Sequence, residues 1–154
     1  MIKLSDDYLA GFVEGEGMFY IGIVPSPETK NGWQVIYFFK VSQNPSGKMV
    51  LDYFKERLDC GYIKANSQSD LTDKSLAFVV RNYSDLRDKV IPFFKEKLII
   101  KKENFKKFQQ VLQLVGEGKH LTKEGLSKII DIAYLMNTGK RKFPKEYILK
   151  SYKN

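Results

Sequence analysis

The sequence predicts an α/β protein in which a helix and two strands occur twice in succession, followed by further helices. Stretches with apolar residues at helical spacing alternate with stretches rich in aromatic and β-branched residues, which favour strands. No linker or low-complexity segment divides the 154 residues, of which 43% are hydrophobic, so one domain over 1–154 is expected. The order αββαββα predicts a four-stranded antiparallel sheet with a helical C-terminal third.

The first helix is predicted from about Ser5 to about Glu14. Ser5 is a good N-cap, because its hydroxyl can accept a hydrogen bond from a backbone N–H of the first turn. Asp6 and Asp7 follow, where carboxylates favour the positive end of the helix dipole. The start is therefore well defined, whereas the far end carries glycines and acids that an isolated helix disfavours.

Two pairs of strands are predicted. Residues 18–24 and 33–43 should form a long antiparallel hairpin around a turn that contains proline and Asn-Gly. Residues 62–68 and 75–82 read as the second pair.

Helices separate and follow these strands. Ser46 and Ser84 are the expected N-caps of the second and third helices, Gly61 should close the second, and Pro92 should kink or interrupt the third. The predicted helices after the first span residues 49–58, 84–94, 102–115, 121–136 and 143–152.

The charge balance leaves two interpretations open. Lys and Arg total 26 and Asp and Glu total 18, a net charge of +8. Such a chain is either an ordinary basic protein or one that binds a polyanion, most often nucleic acid. No apolar run reaches the roughly 18 residues of a membrane span and no signal-peptide pattern is present, so an intracellular protein without membrane contact is expected. A single cysteine, Cys60, and a single histidine, His120, exclude an internal disulfide and a multi-histidine metal site within one chain.

Residues 8–17, YLAGFVEGEG, carry the most specific pattern in the sequence. They resemble the LAGLIDADG signature of homing endonucleases: LAG matches its first three positions, FV fills the two apolar positions, and EGEG fills the acid-small-acid-glycine end. The resemblance implies the αββαββα homing-endonuclease fold, in which an antiparallel four-stranded sheet binds DNA and helices form the C-terminal part. It also implies site-specific cleavage of double-stranded DNA.

Three other functions stay open. One is an RNA-binding intron maturase on the same fold that does not cleave DNA. Another is an RNA-binding sheet module, although its usual aromatic strand signature is absent, and the third is a structural dimer with incidental basic charge. Because Glu16, the second acid of the motif, is retained, the resemblance favours cleavage.

The single copy of the motif implies a homodimer in this family. Gly11 and Gly15 are four residues apart and lie on one helix face, where small residues let two helices approach closely. With Leu9 and Phe12 they form the expected dimer interface. The two copies of Glu16 would meet at the two-fold axis and, with the carbonyl of Gly15, bind Mg²⁺ or another divalent cation such as Mn²⁺. No organic cofactor is expected.

Further catalytic residues follow from the resemblance by position. Gln43 matches a polar residue at the end of strand two that orders a water, and Lys101, then Lys97, matches a basic residue after the third helix. Each residue also has a simpler interpretation. Gln43 would then be an ordinary amide at a strand end, the lysines would contact phosphates or be solvated, and Glu16 would be a solvated surface acid. Glu14 is expected to support the helix end and the interface. Such proteins are often encoded in introns or inteins of organelles, so a mitochondrion, a chloroplast or a prokaryotic cytoplasm is the expected compartment.

One face of the predicted sheet mixes polar and apolar side chains. An ordinary solvated face is one interpretation. A DNA-reading face is the other, because Lys, Arg, Gln and Asn read base edges and a β-ribbon fits the major groove. The resemblance implies that this face contacts DNA, and the residues it carries over are Tyr20, Gly22, Val24, Ser26, Gln34, Ile36, Phe38, Lys40, Lys64, Asn66, Gln68, Ser75 and Arg81.

Overall fold

The computed structural model describes residues 3–137 and 139–154, and it confirms the predicted order of elements. The strands are β1 (Gly17–Pro25), β2 (Trp33–Gln43), β3 (Tyr62–Ala65) and β4 (Leu76–Val80). The helices are α1 (Asp6–Glu16), α2 (Lys48–Leu58), α3 (Tyr83–Asp85), α4 (Ile91–Phe94), α5 (Lys102–Gly116), α6 (Lys123–Ala133) and α7 (Lys145–Lys150). In these two described ranges, no helix is both long and apolar enough to cross a bilayer.

Helix α1 starts where the sequence predicts and ends two residues later. The Ser5 side chain accepts a hydrogen bond from the backbone N–H of Tyr8 at 3.0 Å, which confirms the N-cap. At the other end the N–H of Gly17 donates to the carbonyl of Val13. A Cβ at Gly17 would lie 2.7 Å from Cγ1 of Val13, so only glycine lets the chain pass directly from helix to strand there.

The strands form one sheet in the order β1-β2-β4-β3. Strand β4 pairs antiparallel with both neighbours, and its Val79 lies opposite Lys40 of β2 and opposite Tyr62 of β3. Because side chains alternate between the two faces of a sheet, these three residues share one face. The neighbouring Phe39 and Phe78 share the other face.

The described residues divide into two compact units, and the hairpin β1–β2 contributes to both. The first unit contains the described residues up to Phe19 together with Phe38–Lys102. Its core is a cluster of phenylalanine rings. The ring of Phe39 lies 5.2 Å from that of Phe19 and 5.1 Å from that of Phe94, and both Phe54 and Phe78 are fully buried beside it.

The second unit contains Tyr20–Tyr37 and Glu103–Asn154. Its core combines the apolar faces of α5 and α6 with Trp33, whose ring contacts the rings of Phe143 and Tyr147. Arg141 also belongs to this core. Its guanidinium donates to the carbonyl of Ile21 at 2.7 Å and to that of Ala133 at 2.5 Å. Within the basic segment 139–145, this arginine therefore pairs with carbonyl groups at a strand edge and at a helix end.

Two predicted N-caps are wrong. Ser46 lies inside a 3₁₀ turn, Pro45–Gly47, and α2 follows without a side-chain cap. The cap before α3 is Asn82, whose side chain accepts from the N–H of Asp85 at 3.0 Å. The expected disturbance around Pro92 takes the form of a π-helical segment, Leu86–Val90, between α3 and α4. The second strand pair is shorter than predicted.

Candidate active site and nucleic-acid interface

The C-terminal end of α1 presents an unpaired carboxylate. Glu16 is the last residue of the helix and is exposed, and within the part of the chain that the structure describes its side chain makes no hydrogen bond or ion pair. The carbonyl of Gly15 belongs to the last turn, where carbonyl groups lack partners inside the helix. Both groups offer oxygen atoms, which are the ligands that Mg²⁺ prefers.

One chain supplies only part of a metal-binding shell. Among residues 3–137 and 139–154, no group of three or more His, Cys, Asp or Glu side chains is placed to hold a metal ion. The donor set of Glu16 and Gly15 suits a hard divalent cation, but further ligands have to come from water, a substrate or another molecule.

Glu14 holds the segment just before α5 next to the end of α1. Its half-buried carboxylate accepts hydrogen bonds from the backbone N–H groups of Ile99 and Lys101, the latter at 3.0 Å. Because Glu14 lies in the last turn of α1, these bonds fix the backbone of Lys101 beside the turn that carries Glu16.

Lys97, the second candidate for the basic residue, lies elsewhere in the first unit. Its ammonium group lies 5.7 Å from the ring centre of Phe93. Lys97 is also close enough to Asp6 to act on it. The hydrogen bond from Arg57 lowers the pKa of Asp6, and the charge of Lys97 lowers it further. Asp6 begins α1, about 15 Å from Glu16 along the helix. The structure thus brings Lys101, and not Lys97, to the end of α1 that carries Glu16.

Gln43 ends β2 at the edge of the sheet where β1 begins, next to Glu16. The packing of Phe19 of β1 on Phe39 of β2 aligns the two strands, so the end of β2 lies beside the start of β1. The Oε1 atom of Gln43 accepts from the N–H of Asn44 at 2.8 Å, which leaves its NH₂ group as the available end. A Cβ at Gly47 would lie 2.2 Å from Cγ of Gln43, so this glycine makes room for the side chain.

The first unit carries the larger group of expected DNA contacts on one face. Nδ2 of Asn66 donates to Oγ of Ser75 at 3.2 Å, and the Arg81 guanidinium stacks on the ring of Phe38 at 4.9 Å. Partial burial lowers the pKa of Lys40, and the charges of Lys64 and Arg81 lower it further. These cations therefore lie close together. Gln68 lies beyond the end of β3 and is exposed.

The contacts expected from the second unit are more varied in exposure. Gln34 is exposed, and Val24 and Ile36 are half-buried. Tyr20 covers Gly22, since a Cβ there would lie 2.8 Å from Cε2 of Tyr20. Ser26 is only 8% exposed, because it lies inside the β1–β2 turn, where its N–H donates to the carbonyl of Gly32. Ser26 is therefore removed from the expected contact surface.

The outward face of α1 has open space at both glycines. Among the described residues, a Cβ at Gly11 or Gly15 would meet no atom within 4 Å beyond its own stretch of helix. Phe12 is half-buried and packs on Phe54, with ring centres 6.1 Å apart. Leu9, however, is fully buried in the core of its own chain, so its expected place in an interface is wrong. Tyr8, 48% exposed, occupies that face instead.

Comparison with known proteins agrees with the motif and the fold. Residues 9–112 match the model of the family described as LAGLIDADG endonuclease. The chain belongs to this family. Probable intron-encoded endonuclease 2 of Neurospora crassa is 31% identical over 147 residues, which cover 93% of this chain and 31% of that protein. The chain thus spans about a third of the length of this relative.

Solved structures confirm the homing-endonuclease fold. The crystal structure of the homing endonuclease I-TnaI superimposes with a TM-score of 0.82 at 36% identity, over 97% of both chains. The intron-encoded homing endonuclease I-CeuI, complexed with DNA, superimposes with a TM-score of 0.87 at 26% identity, over 97% of this chain and 78% of that one.

Three residues that contact or accommodate predicted elements were missed in the sequence. Tyr62 lies on the polar sheet face and shares the alternation of Lys64, so the strand pattern itself contained this signal. Gly47 lies two residues after Pro45 and accommodates Gln43, which no local pattern indicates. Arg141 reaches Ile21, 120 residues away in sequence, and only the folded chain shows this contact.

Proposed function

We propose that this chain is a site-specific endonuclease that binds a long, roughly palindromic double-stranded DNA site as a homodimer. It hydrolyses one phosphodiester bond in each strand and requires a divalent metal. The observation that carries the proposal is the exposed carboxylate of Glu16, unpaired among the described residues, at the end of a helix whose outward glycines have open space.

The glycines of α1 support the dimer. A Cβ at Gly11 or at Gly15 would lie within 4 Å of no described atom beyond its own stretch of helix, and alanine would favour the helix by about 1 kcal/mol at each position. The packing of the described residues therefore does not require glycine at either position. Close approach of a second α1 accounts for both residues, as small residues allow between helices elsewhere. In a two-fold dimer the same face packs on itself.

The two-fold arrangement would also complete the metal site. Glu16 and the carbonyl of Gly15 from each chain would hold Mg²⁺ or Mn²⁺. When bound, the metal supplies positive charge that lowers the pKa of water and stabilises the leaving oxygen. Two carboxylates brought together without a cation would repel each other, so the arrangement favours occupancy.

The remaining residues act on the scissile phosphate and the attacking water. The free NH₂ group of Gln43 donates to the attacking water or to a phosphate oxygen. Lys101 stabilises the charge that develops on the phosphate, and Glu14 positions it through the backbone bonds to Ile99 and Lys101. Water adds to phosphorus while the bond to the 3′ oxygen breaks, which leaves a 5′-phosphate and a 3′-hydroxyl.

Binding of DNA draws on charge and on the sheet face. The net charge of +8 favours a polyanion, and the polar face of the first unit holds Lys40, Lys64 and Arg81 together. The homing endonuclease I-CeuI, which has this fold, has been solved in complex with DNA, which supports DNA binding by this chain.

Digestion of a randomised DNA pool tests the proposal. With Mg²⁺, mapping of the new ends should show paired breaks placed symmetrically about one selected sequence, and EDTA should abolish them. Light scattering at micromolar concentration should give the mass of a dimer. A chain that binds RNA but leaves the pool intact, or an active monomer, would contradict the proposal.

A further inference from the structure

Arg81 is held in one orientation by two aromatic residues of the neighbouring strands. Its Nε donates to the hydroxyl of Tyr62 at 3.1 Å, and its guanidinium carbon lies 4.9 Å from the ring centre of Phe38. Tyr62 belongs to β3 and Phe38 to β2, the strands on either side of β4. Arg81 follows the last residue of β4, so its side chain is fixed across three strands.

The end of the guanidinium that remains available has a defined shape. In the described part of the chain, Arg81 makes its hydrogen bond through Nε and forms no ion pair, and the residue is exposed. Nη1 and Nη2 therefore present two parallel N–H groups. This two-pronged end matches the O6 and N7 acceptors of guanine in the major groove. Adenine has an NH₂ group in place of O6, so one N–H of Arg81 would face a donor.

The surroundings of Arg81 favour a partner that is anionic overall and that offers Arg81 itself two uncharged acceptor atoms. Lys40 and Lys64 lie near enough to act on each other's charge, and among the described residues no carboxylate pairs with these two lysines or with Arg81. The ammonium groups of lysine are flexible point charges that suit phosphates, whereas the planar guanidinium carries geometric information. The cluster thus contains both kinds of contact, with Arg81 as the rigid one.

We propose that Arg81 reads one guanine in each half of the DNA site and that Tyr62 and Phe38 position it for this contact. The inference rests on the proposed function, because it needs a DNA duplex on this face of the sheet. Fixing the side chain before binding reduces the entropy lost in the complex, which strengthens the contact. In a two-fold dimer the two guanines lie at equal distances from the centre of the site.

Selection of bound DNA from a randomised pool, without Mg²⁺, tests the assignment. The wild type should enrich guanine at one symmetric pair of positions. Arg81→Lys should reduce the preference for that guanine about 10-fold. Tyr62→Phe keeps the aromatic ring but removes the hydroxyl that accepts from Arg81. This variant should reduce the preference for guanine about threefold. Arg87→Lys is the matched control, since Arg87 is exposed and stacks on Tyr83 at 5.5 Å but lies off the sheet, and it should leave the profile unchanged.

The possible results separate this inference from the proposed function. A wild type that selects a sequence whose profile Arg81→Lys leaves intact would overturn the guanine contact alone. Equal loss of affinity for all sequences would do the same, because it would mark Arg81 as a phosphate contact. A wild type that selects no sequence would overturn both.

Discussion

The tripeptide Gly-Glu-Gly stands at the end of α1, as residues 15–17, and at the end of α5, as residues 116–118, and the two ends differ in structure. After α1 the chain continues directly into β1, and Gly17 has an extended backbone with φ −99°. After α5, Gly118 adopts a left-handed conformation with φ +75°, and the chain enters the 3₁₀ turn Lys119–Leu121. Identical residues thus end one helix in a strand and the other in a turn.

What precedes the tripeptide separates the two ends further. In α1 the preceding residue is Glu14, which accepts two backbone hydrogen bonds from the segment before α5. In α5 the preceding residue is Val115, which is half-buried. Only α1 has a second glycine four residues before the tripeptide, at Gly11, and that face has open space. The residues that distinguish the functional end therefore lie in the helix before the tripeptide, and they include Glu14 with its two hydrogen bonds.

Replacing the glutamate of each tripeptide gives the largest contrast. Glu16→Gln removes the negative charge proposed to hold the metal, and cleavage should fall by more than about 10³-fold while DNA binding and the melting temperature stay the same. Glu117→Gln, at an equally exposed glutamate, should change none of these. Cleavage rates on the selected site, with Mg²⁺ in excess, measure the difference. Wild-type cleavage by the Glu16 variant would remove the basis for distinguishing the two ends.

Replacing the last glycine of each tripeptide separates packing from backbone conformation. Gly17→Ala places a Cβ 2.7 Å from Val13, a fully buried side chain, so it should destabilise the chain by about 2 kcal/mol. Gly118→Ala has space, with the nearest atom at 3.9 Å, but requires a left-handed alanine at a cost of about 1 kcal/mol. Urea unfolding of both variants measures the two free energies. A larger loss of stability in Gly118→Ala than in Gly17→Ala would mean that the left-handed backbone at Gly118 matters more than the packing at Gly17.

The two ends also show what the sequence was able to predict. Helical spacing and the Ser5 cap located α1, and the alternation in β2 located the polar sheet face, because these signals are local. The partners of Glu14 lie more than 80 residues away, so its hydrogen bonds to Ile99 and Lys101 could not be derived from neighbouring residues. For the same reason the preference for Lys101 over Lys97 rested on the resemblance, until Glu14 and Asp6 showed which lysine lies near Glu16.

The glycines inside α1 should act oppositely on folding and on association. Gly11→Ala and Gly15→Ala should each stabilise the monomer by up to about 1 kcal/mol, because alanine favours a helix and its Cβ would clash with none of the described residues. Each should weaken the proposed dimer about 10-fold, since a methyl group separates helices that approach closely. Sedimentation over a concentration series measures the dissociation constant, and urea unfolding at low concentration measures the monomer. Unchanged dimerisation in both variants would place the interface elsewhere.

The smallest effect belongs to the turn after α5. His120, the single histidine of the chain, is half-buried, and among the described residues its Nδ1 atom is buried without a hydrogen-bond partner. Burial lowers the pKa of His120 in the folded chain. The unfolded chain therefore binds this proton more readily, and stability should decrease as the pH falls through the ordinary value of about 6.5 towards the lower pKa of the folded state. Because the His120 side chain is only half-buried, the loss should be about a few tenths of a kcal/mol.

This dependence of stability on pH should come from the end of α5 alone. Urea unfolding at pH 7.5 and pH 5.5 should show it in the wild type and in Glu16→Gln, since the junction of α1 and β1 contains no histidine. His120→Gln should remove the slope, because glutamine does not titrate in this range. A slope that survives in His120→Gln would mean that another group takes up the proton. The pH dependence would then no longer distinguish the two helix ends.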